Sequence, residues 1–229
     1  MQRALTLYQT SIGKKAVMAV SGVILVGFVV GHLVGNLNAY AGPAAFNEYA
    51  NGLRDHMGLL WGIRILLLLA VFAHIVSAFS LVVRNRGARP ARYAHKKDIA
   101  TTYAAKAMPL TGITLLAYIV FHLGHLTFGL LPGFDPTNPY NNLVHGFESP
   151  LLCGIYAIGN LSLGVHLYHG IWSMFQSVGA NHPKYNHLRT DLAIALATFL
   201  TVGFLSFPIM VQAGILAPTT EVFHLPNLH

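Results

Sequence analysis

Histidines in apolar surroundings are the residues of this sequence most able to do chemistry. Of its thirteen histidines, His56, His95, His145, His182, His187 and His224 fall in polar connections or the tail, and His229 is the last residue. The other six, His32, His74, His122, His125, His166 and His169, sit in long apolar runs such as FVVGHLVGN at 28–36. An ionisable ring is costly in hydrocarbon and needs a partner. A metal is one such partner, because a neutral imidazole can give one nitrogen to iron while its other N–H bonds a carbonyl or hydroxyl. Two imidazoles facing each other at one level of a helix bundle are what bis-histidine haem ligation requires.

The elements that must hold these rings follow from composition. The chain has 229 residues, 54% hydrophobic and only 9% charged, with mean hydropathy +0.55. A soluble domain carries about 25% charged residues, so these values describe an integral membrane protein. Crossing a bilayer takes about 20 apolar residues per helix. The runs of that length are 16–38, 58–83, 105–131, 151–178 and 191–214, joined by polar, turn-rich connections such as AGPAAFNEYANGLRDH and LPGFDPTNPYNN. The expected fold is therefore all-α, an integral membrane five-helix bundle forming one domain over 1–229. Lys14-Lys15, an apolar run and Ala39-Tyr40-Ala41 imitate a signal peptide, but the run exceeds a signal h-region, and a retained first span is expected.

The net charge of +7 and pI near 9.7 arise from short basic clusters between the spans, a topological pattern and not a nucleic-acid face. Arg3, Lys14 and Lys15 precede the first span, and Arg84, Arg86, Arg89, Arg92, Lys96 and Lys97 follow the second. Lys184 and Arg189 follow the fourth, while the opposite connections hold only Arg54 with Glu48, Asp55, Asp135 and Glu148. The N-terminus is expected in the cytoplasm and the C-terminus outside. The single cysteine, Cys153, excludes an intramolecular disulfide and a cysteine-held iron–sulfur cluster. No C-x-x-C-H occurs, so any haem is held without thioether bonds.

Depth pairs the histidines. At the helical rise, His32 lies about 24 Å and His122 about 26 Å from the inner ends of their spans, against about 14 Å for His74 and 18 Å for His166. His32 with His122 form the outer pair and His74 with His166 the inner one. A lone membrane histidine is more often a satisfied packing residue, but four on four helices, matched by depth, favour ligation. His125 and His169 each lie three residues beyond a candidate and near the same face, and spacing alone does not separate His122 from His125 or His166 from His169. An H-x-x-H pair also suggests a non-haem metal, but no Asp or Glu lies mid-span to complete such a site. Gly27, Gly31 and Gly35 form a stripe beside His32, and Gly164 and Gly170 flank His166. They leave room for a porphyrin or serve small-residue helix packing. Arg64, near the outer end of the second span, is placed to pair with a propionate of the outer haem or to snorkel to the interface.

These residues carry a family resemblance. SIGKKAVMAVSG, GHLVGNLNAYAGPAAFNEYANGLR, LLWGIRILLLLAVFAHIVSAFSLVVRNRGARPARY, TGITLLAYIVFHLGHLTF and GVHLYHGIWSMFQSVG together resemble the cytochrome b558 family. Its members are single-chain, five-helix, di-haem membrane anchors of bacterial succinate:quinone oxidoreductases and related fumarate reductases. The resemblance runs through nearly the whole chain. It implies non-covalent ligation of two haem b groups by His32 in VVGHL, His74 in FAHIV, His122 eleven residues after Thr111-Gly112, and His166 four residues before the glycine of HLYHGIW. It also implies the pairs His32/His122 and His74/His166, with His125 and His169 as supporting or packing residues.

By the same resemblance the chain anchors a flavoprotein subunit and an iron–sulfur subunit at the cytoplasmic face of the bacterial inner membrane. It exchanges electrons with a membrane quinone, read as menaquinone, and has no succinate-oxidising site of its own. Some fumarate-reductase relatives carry a glutamate two residues before the fourth-span ligand; here that position is Gly164, which favours succinate oxidation. Glu48, Asp55 and His56 are outer candidates for the quinone site and Ser21, Arg92 and Tyr93 inner ones. Two other functions compete. A histidine-relay proton-coupled transporter calls for internal repeats and broken helices, and the sequence shows no evident repeat. The haem subunit of a hydrogenase or formate dehydrogenase would copurify with a nickel or molybdenum subunit instead of a flavoprotein.

Overall fold

The computed structural model describes residues 10–87, 103–180 and 182–220. Seven α-helices follow one another among them: α1 (Ser11–Asn36), α2 (Pro43–Asp55), α3 (Met57–Gly87), α4 (Tyr103–Leu126), α5 (Pro139–Glu148), α6 (Pro150–Ser177) and α7 (Asn186–Gln212). Five of them, α1, α3, α4, α6 and α7, are long and apolar enough to cross a membrane. Their outward faces are apolar yet uncovered: Phe72 and Phe79 are each 69% exposed and Ile113 70%. Such belts need hydrocarbon around them, and the chain is a multi-pass membrane protein. Arg3, Arg89, Arg92, Tyr93, Lys96 and Lys97, invoked above for orientation or quinone binding, lie outside the described residues.

Helix starts follow local chemistry. The Thr10 hydroxyl accepts from the Gly13 N–H at 2.9 Å to cap α1. Asn138 caps α5 through the Asn141 N–H at 3.0 Å, and Ser149 precedes α6, each with proline at the first helical position, where the missing N–H costs nothing. The third span ends earlier than its apolar run. α4 stops at Leu126, and the Phe128 and Leu130 N–H groups turn back to the carbonyls of Leu123 and Gly124. Gly129, at φ 61°, supplies the left-handed residue that this C-terminal motif needs. Leu130 and Leu131 are apolar but lie beyond that turn.

Two connections expected to be loops contain helices. α2 and α5 lie at the same end of the bundle and are fastened side to side by a buried amide. Asn47, fully enclosed, donates to Asn138 Oδ1 at 3.0 Å and accepts the Tyr140 N–H at 2.9 Å. Arg54 of α2 donates to the Pro136 carbonyl at 2.9 Å. Burial, and then the neighbouring Arg64, hold the Arg54 guanidinium below its usual range.

Long–short–long thus occurs twice, as α1–α2–α3 and α4–α5–α6. α1 packs along α3, α4 along α6, and α7 lies against α6 with a smaller contact to α1. Close approach is set by glycines: a Cβ on Gly203 of α7 would come 2.5 Å from a Leu33 methyl, and one on Gly159 of α6 would run into the Tyr118 ring.

Candidate haem-ligating histidine pairs

Each repeat of the fold brings a hydroxyl to a histidine of its partner helix. Ser21 of α1 and Thr111 of α4 follow the usual habit of helical hydroxyls and donate to their own preceding turns. Ser21 Oγ reaches the Val17 carbonyl at 2.7 Å, and Thr111 Oγ1 the Ala107 carbonyl at 3.1 Å. Their lone pairs are left for a neighbour. His74 Nδ1 lies 3.2 Å from Ser21 Oγ and 3.2 Å from the Met18 carbonyl, and His166 Nδ1 lies 3.2 Å from Thr111 Oγ1. A carbonyl can only accept, so His74 carries its proton on Nδ1. With the Thr111 hydrogen at Ala107, His166 is assigned the same way. In both rings Nε2 keeps its lone pair. Gly22 and Gly112, next in the chain, lie alongside the rings, and a Cβ there would make ordinary contact, 3.5 Å from His74 Cε1 and 3.8 Å from His166 Cε1.

These two rings face one another across the bundle, their centroids 6.3 Å apart and their planes at 57°. A second pair lies toward the α2/α5 end, where His32 and His122 stand 5.9 Å apart at 84°. His32 stacks on Phe28 at 5.4 Å and meets Phe204 of α7 at 5.9 Å. His122 Nδ1 lies 3.3 Å from the Tyr156 hydroxyl, which also lies 3.0 Å from His125 Nδ1. One hydroxyl proton serves one ring. If it goes to His125, His122 donates through Nδ1 and again presents a free Nε2.

The ligand geometry tests whether this donor set fits iron. With a metal–imidazole bond of about 2 Å and roughly 1 Å more to each ring centre, two rings on opposite sides of one metal have centroids about 6 Å apart. The separations of 5.9 and 6.3 Å are compatible with that distance, which ordinary ring contacts share. No group of three or more His, Cys, Asp or Glu side chains comes together among the described residues, so the candidate ligand sets are pairs.

The cross-bundle contacts involve His122 and His166, while His125 and His169 do something else. His125 is buried against α5, where Gly146 is required because a Cβ would come 2.6 Å from the ring. His169 leans on Trp172, with centroids 6.1 Å apart. The glycine stripe divides likewise: Gly35 is pressed by Tyr49 and Gly164 by Thr201, while a Cβ on Gly27, Gly31 or Gly170 would meet nothing within 4 Å. Arg64 is exposed, its guanidinium 5.1 Å from the Trp61 ring centre. Glu48, Asp55 and His56 are exposed as well, and Ser21 is committed to His74. A cavity of about 70 Å³ at the α2/α5 end, lined by residues including His125, Asn142 and His145, has room for a water or two but not for a quinone ring.

Sequence reasoning did not single out Tyr156, Trp172 or Arg189, and it named Ser21 only as one inner candidate for the quinone site, whereas the structure sets Ser21 beside His74. A signal for Ser21 was present. Ser21-Gly22 precedes His32 by the same eleven positions that separate Thr111-Gly112 from His122, the sequence trace of the repeat seen in the fold.

The chain is similar to the succinate dehydrogenase cytochrome b558 subunit of Bacillus subtilis (strain 168), with 25% identity over 183 residues, 79% of this chain and 87% of that protein. No family model matches the chain, and no solved structure matches it. The similarity supports the resemblance drawn from the residues and, with the five apolar helices, a multi-pass bacterial membrane protein.

Proposed function

We propose that this chain is the di-haem cytochrome b anchor of a succinate:quinone oxidoreductase, oriented with the α2/α5 end outside. The reading rests on one observation: two imidazole pairs from four different helices, 5.9 and 6.3 Å apart, at two depths of one bundle. His32 and His122 hold the outer haem b, and His74 and His166 the inner one. Bound haem supplies reversible one-electron chemistry between the iron–sulfur subunit and a membrane quinone, here menaquinone. The protein's own part is placement. Ser21, Met18 and Thr111 fix the inner rings with Nε2 inward, Tyr156 orients His122, and Phe28 and Phe204 exclude water around His32. Arg64 is assigned to an outer propionate, with Trp61 steadying its guanidinium plane. The basic connections at the opposite end face the flavoprotein and iron–sulfur subunits, and the physiological direction is succinate oxidation.

The transporter alternative asks for internal repeats, which the long–short–long order supplies, and for helices broken at mid-membrane, which the described bundle lacks. The five long helices are continuous, with Pro109 and Pro208 near their ends. A pyridine haemochrome assay on the purified chain is expected to give two haems per chain, and one or none refutes the proposal. With the intact complex, succinate should reduce the haems in a reduced-minus-oxidised spectrum.

A further inference from the structure

Arg189, a loop cation by sequence, is only 8% exposed, in the first turn of α7. Its guanidinium lies 4.9 Å from the centre of the Trp172 ring. Nε and Nη1, both enclosed, have no hydrogen-bond partner among the described residues. A buried cation lacking hydrogen bonds is costly, and stacking on an aromatic face offsets only part of that cost. The fork of free N–H groups suits a planar, two-oxygen anion.

The surroundings indicate which anion. Trp172 touches His169, which lies one turn along α6 from His166. By the helical rise, Trp172 is about 9 Å from the ligand position toward the end that faces the cytoplasm. On the opposing helix Ser77, one turn beyond His74 in the same direction, is fully enclosed and its hydroxyl is also without a partner. The two unpartnered polar side chains therefore lie to the same side of the inner histidine pair. A carboxylate belonging to whatever that pair holds would reach this region without crossing the lipid. We propose, on the reading that the inner pair binds haem b, that Arg189 receives a propionate carboxylate of the inner haem. A cation there favours the reduced, less positive iron, and removing it also leaves the propionate charge unopposed, so both effects lower the inner potential.

The test is a redox titration of the purified complex followed in the haem absorption bands, with the inner haem assigned by its absence in His74→Ala. Wild type must first show two haems; fewer than two sinks the parent reading, independently of Arg189. Arg189→Gln is expected to lower the inner-haem potential or to release the inner haem alone, and Arg189→Lys to recover part of the loss. Two haems with both potentials unchanged in Arg189→Gln would overturn the proposal. So would loss of the cytoplasmic subunits with both potentials intact, which would make the anion a partner's side chain. If Arg189→Gln does not accumulate, redox-difference infrared spectra with carbon-13 in the propionate carboxyls decide between wild type and Arg189→Lys. A shifted inner-haem carboxylate band supports the contact, and an identical band rejects it.

Discussion

Thr111 Oγ1 lies 3.2 Å from His166 Nδ1 and 3.1 Å from the Ala107 carbonyl one turn earlier, to which its hydrogen can go. With its hydrogen there, the hydroxyl accepts from the ring, and the tautomer of His166 then follows from a residue on another helix. Ser21 stands in the same relation to His74, with one difference: His74 Nδ1 has a second acceptor in the Met18 carbonyl. The two halves of the bundle thus use one device with unequal redundancy.

That inequality gives a graded outcome. Partners of a metal-bound histidine are typically worth 10–100-fold in metal affinity. Thr111→Ala leaves His166 Nδ1 without its acceptor and is expected to weaken inner-haem binding roughly tenfold or more. Ser21→Ala leaves Met18 in place and should cost less. Haem titration of the apo-chain in detergent measures both, and equal losses would show that the hydroxyls do not set the tautomers.

His74→Ala is expected to reduce the haem content from two per chain to one and to remove the inner component from the low-temperature spectrum. His125→Ala is expected to retain both, since His125 meets Tyr156 and α5 and no opposing imidazole. An unchanged spectrum after His74→Ala, or a haem lost after His125→Ala, would reassign the ligands.

The parts legible in the sequence were those written in hydropathy and spacing. Unbroken apolar runs mark the crossing helices because a span must satisfy all its backbone groups internally. Antiparallel alternation then matches the first span with the third and the second with the fourth by depth, leaving His122 against His125 and His166 against His169 to the family resemblance. The short helices α2 and α5 were hidden by their composition: Gly42-Pro43 and Asn138-Pro139 read as turns, and these same pairs begin the helices. Arg189 was hidden for the opposite reason. Its charge placed it in a solvated connection, whereas α7 starts at Asn186, before the apolar run, and carries the guanidinium into the bundle over Trp172. Hydropathy reads which residues lipid tolerates; it does not register a cation that the protein itself encloses.

Tyr156 tests the other end of the bundle. Its hydroxyl is the polar contact of both His122 and His125, and its ring is packed edge-on against Phe147 at 4.8 Å and Tyr118 at 5.5 Å. Tyr156→Phe keeps that packing and removes only the oxygen. His125, 8% exposed, then has a buried ring nitrogen without its partner, at a cost of about 1–3 kcal/mol. The variant is expected to unfold earlier in a thermal melt in detergent while still binding two haems, because His122 keeps Nε2. Its outer haem alone should show a changed potential, since a freed Nδ1 proton makes His122 a weaker electron donor to the metal. A change confined to the inner haem would mean that Tyr156 acts through the packing of α6 and not through His122.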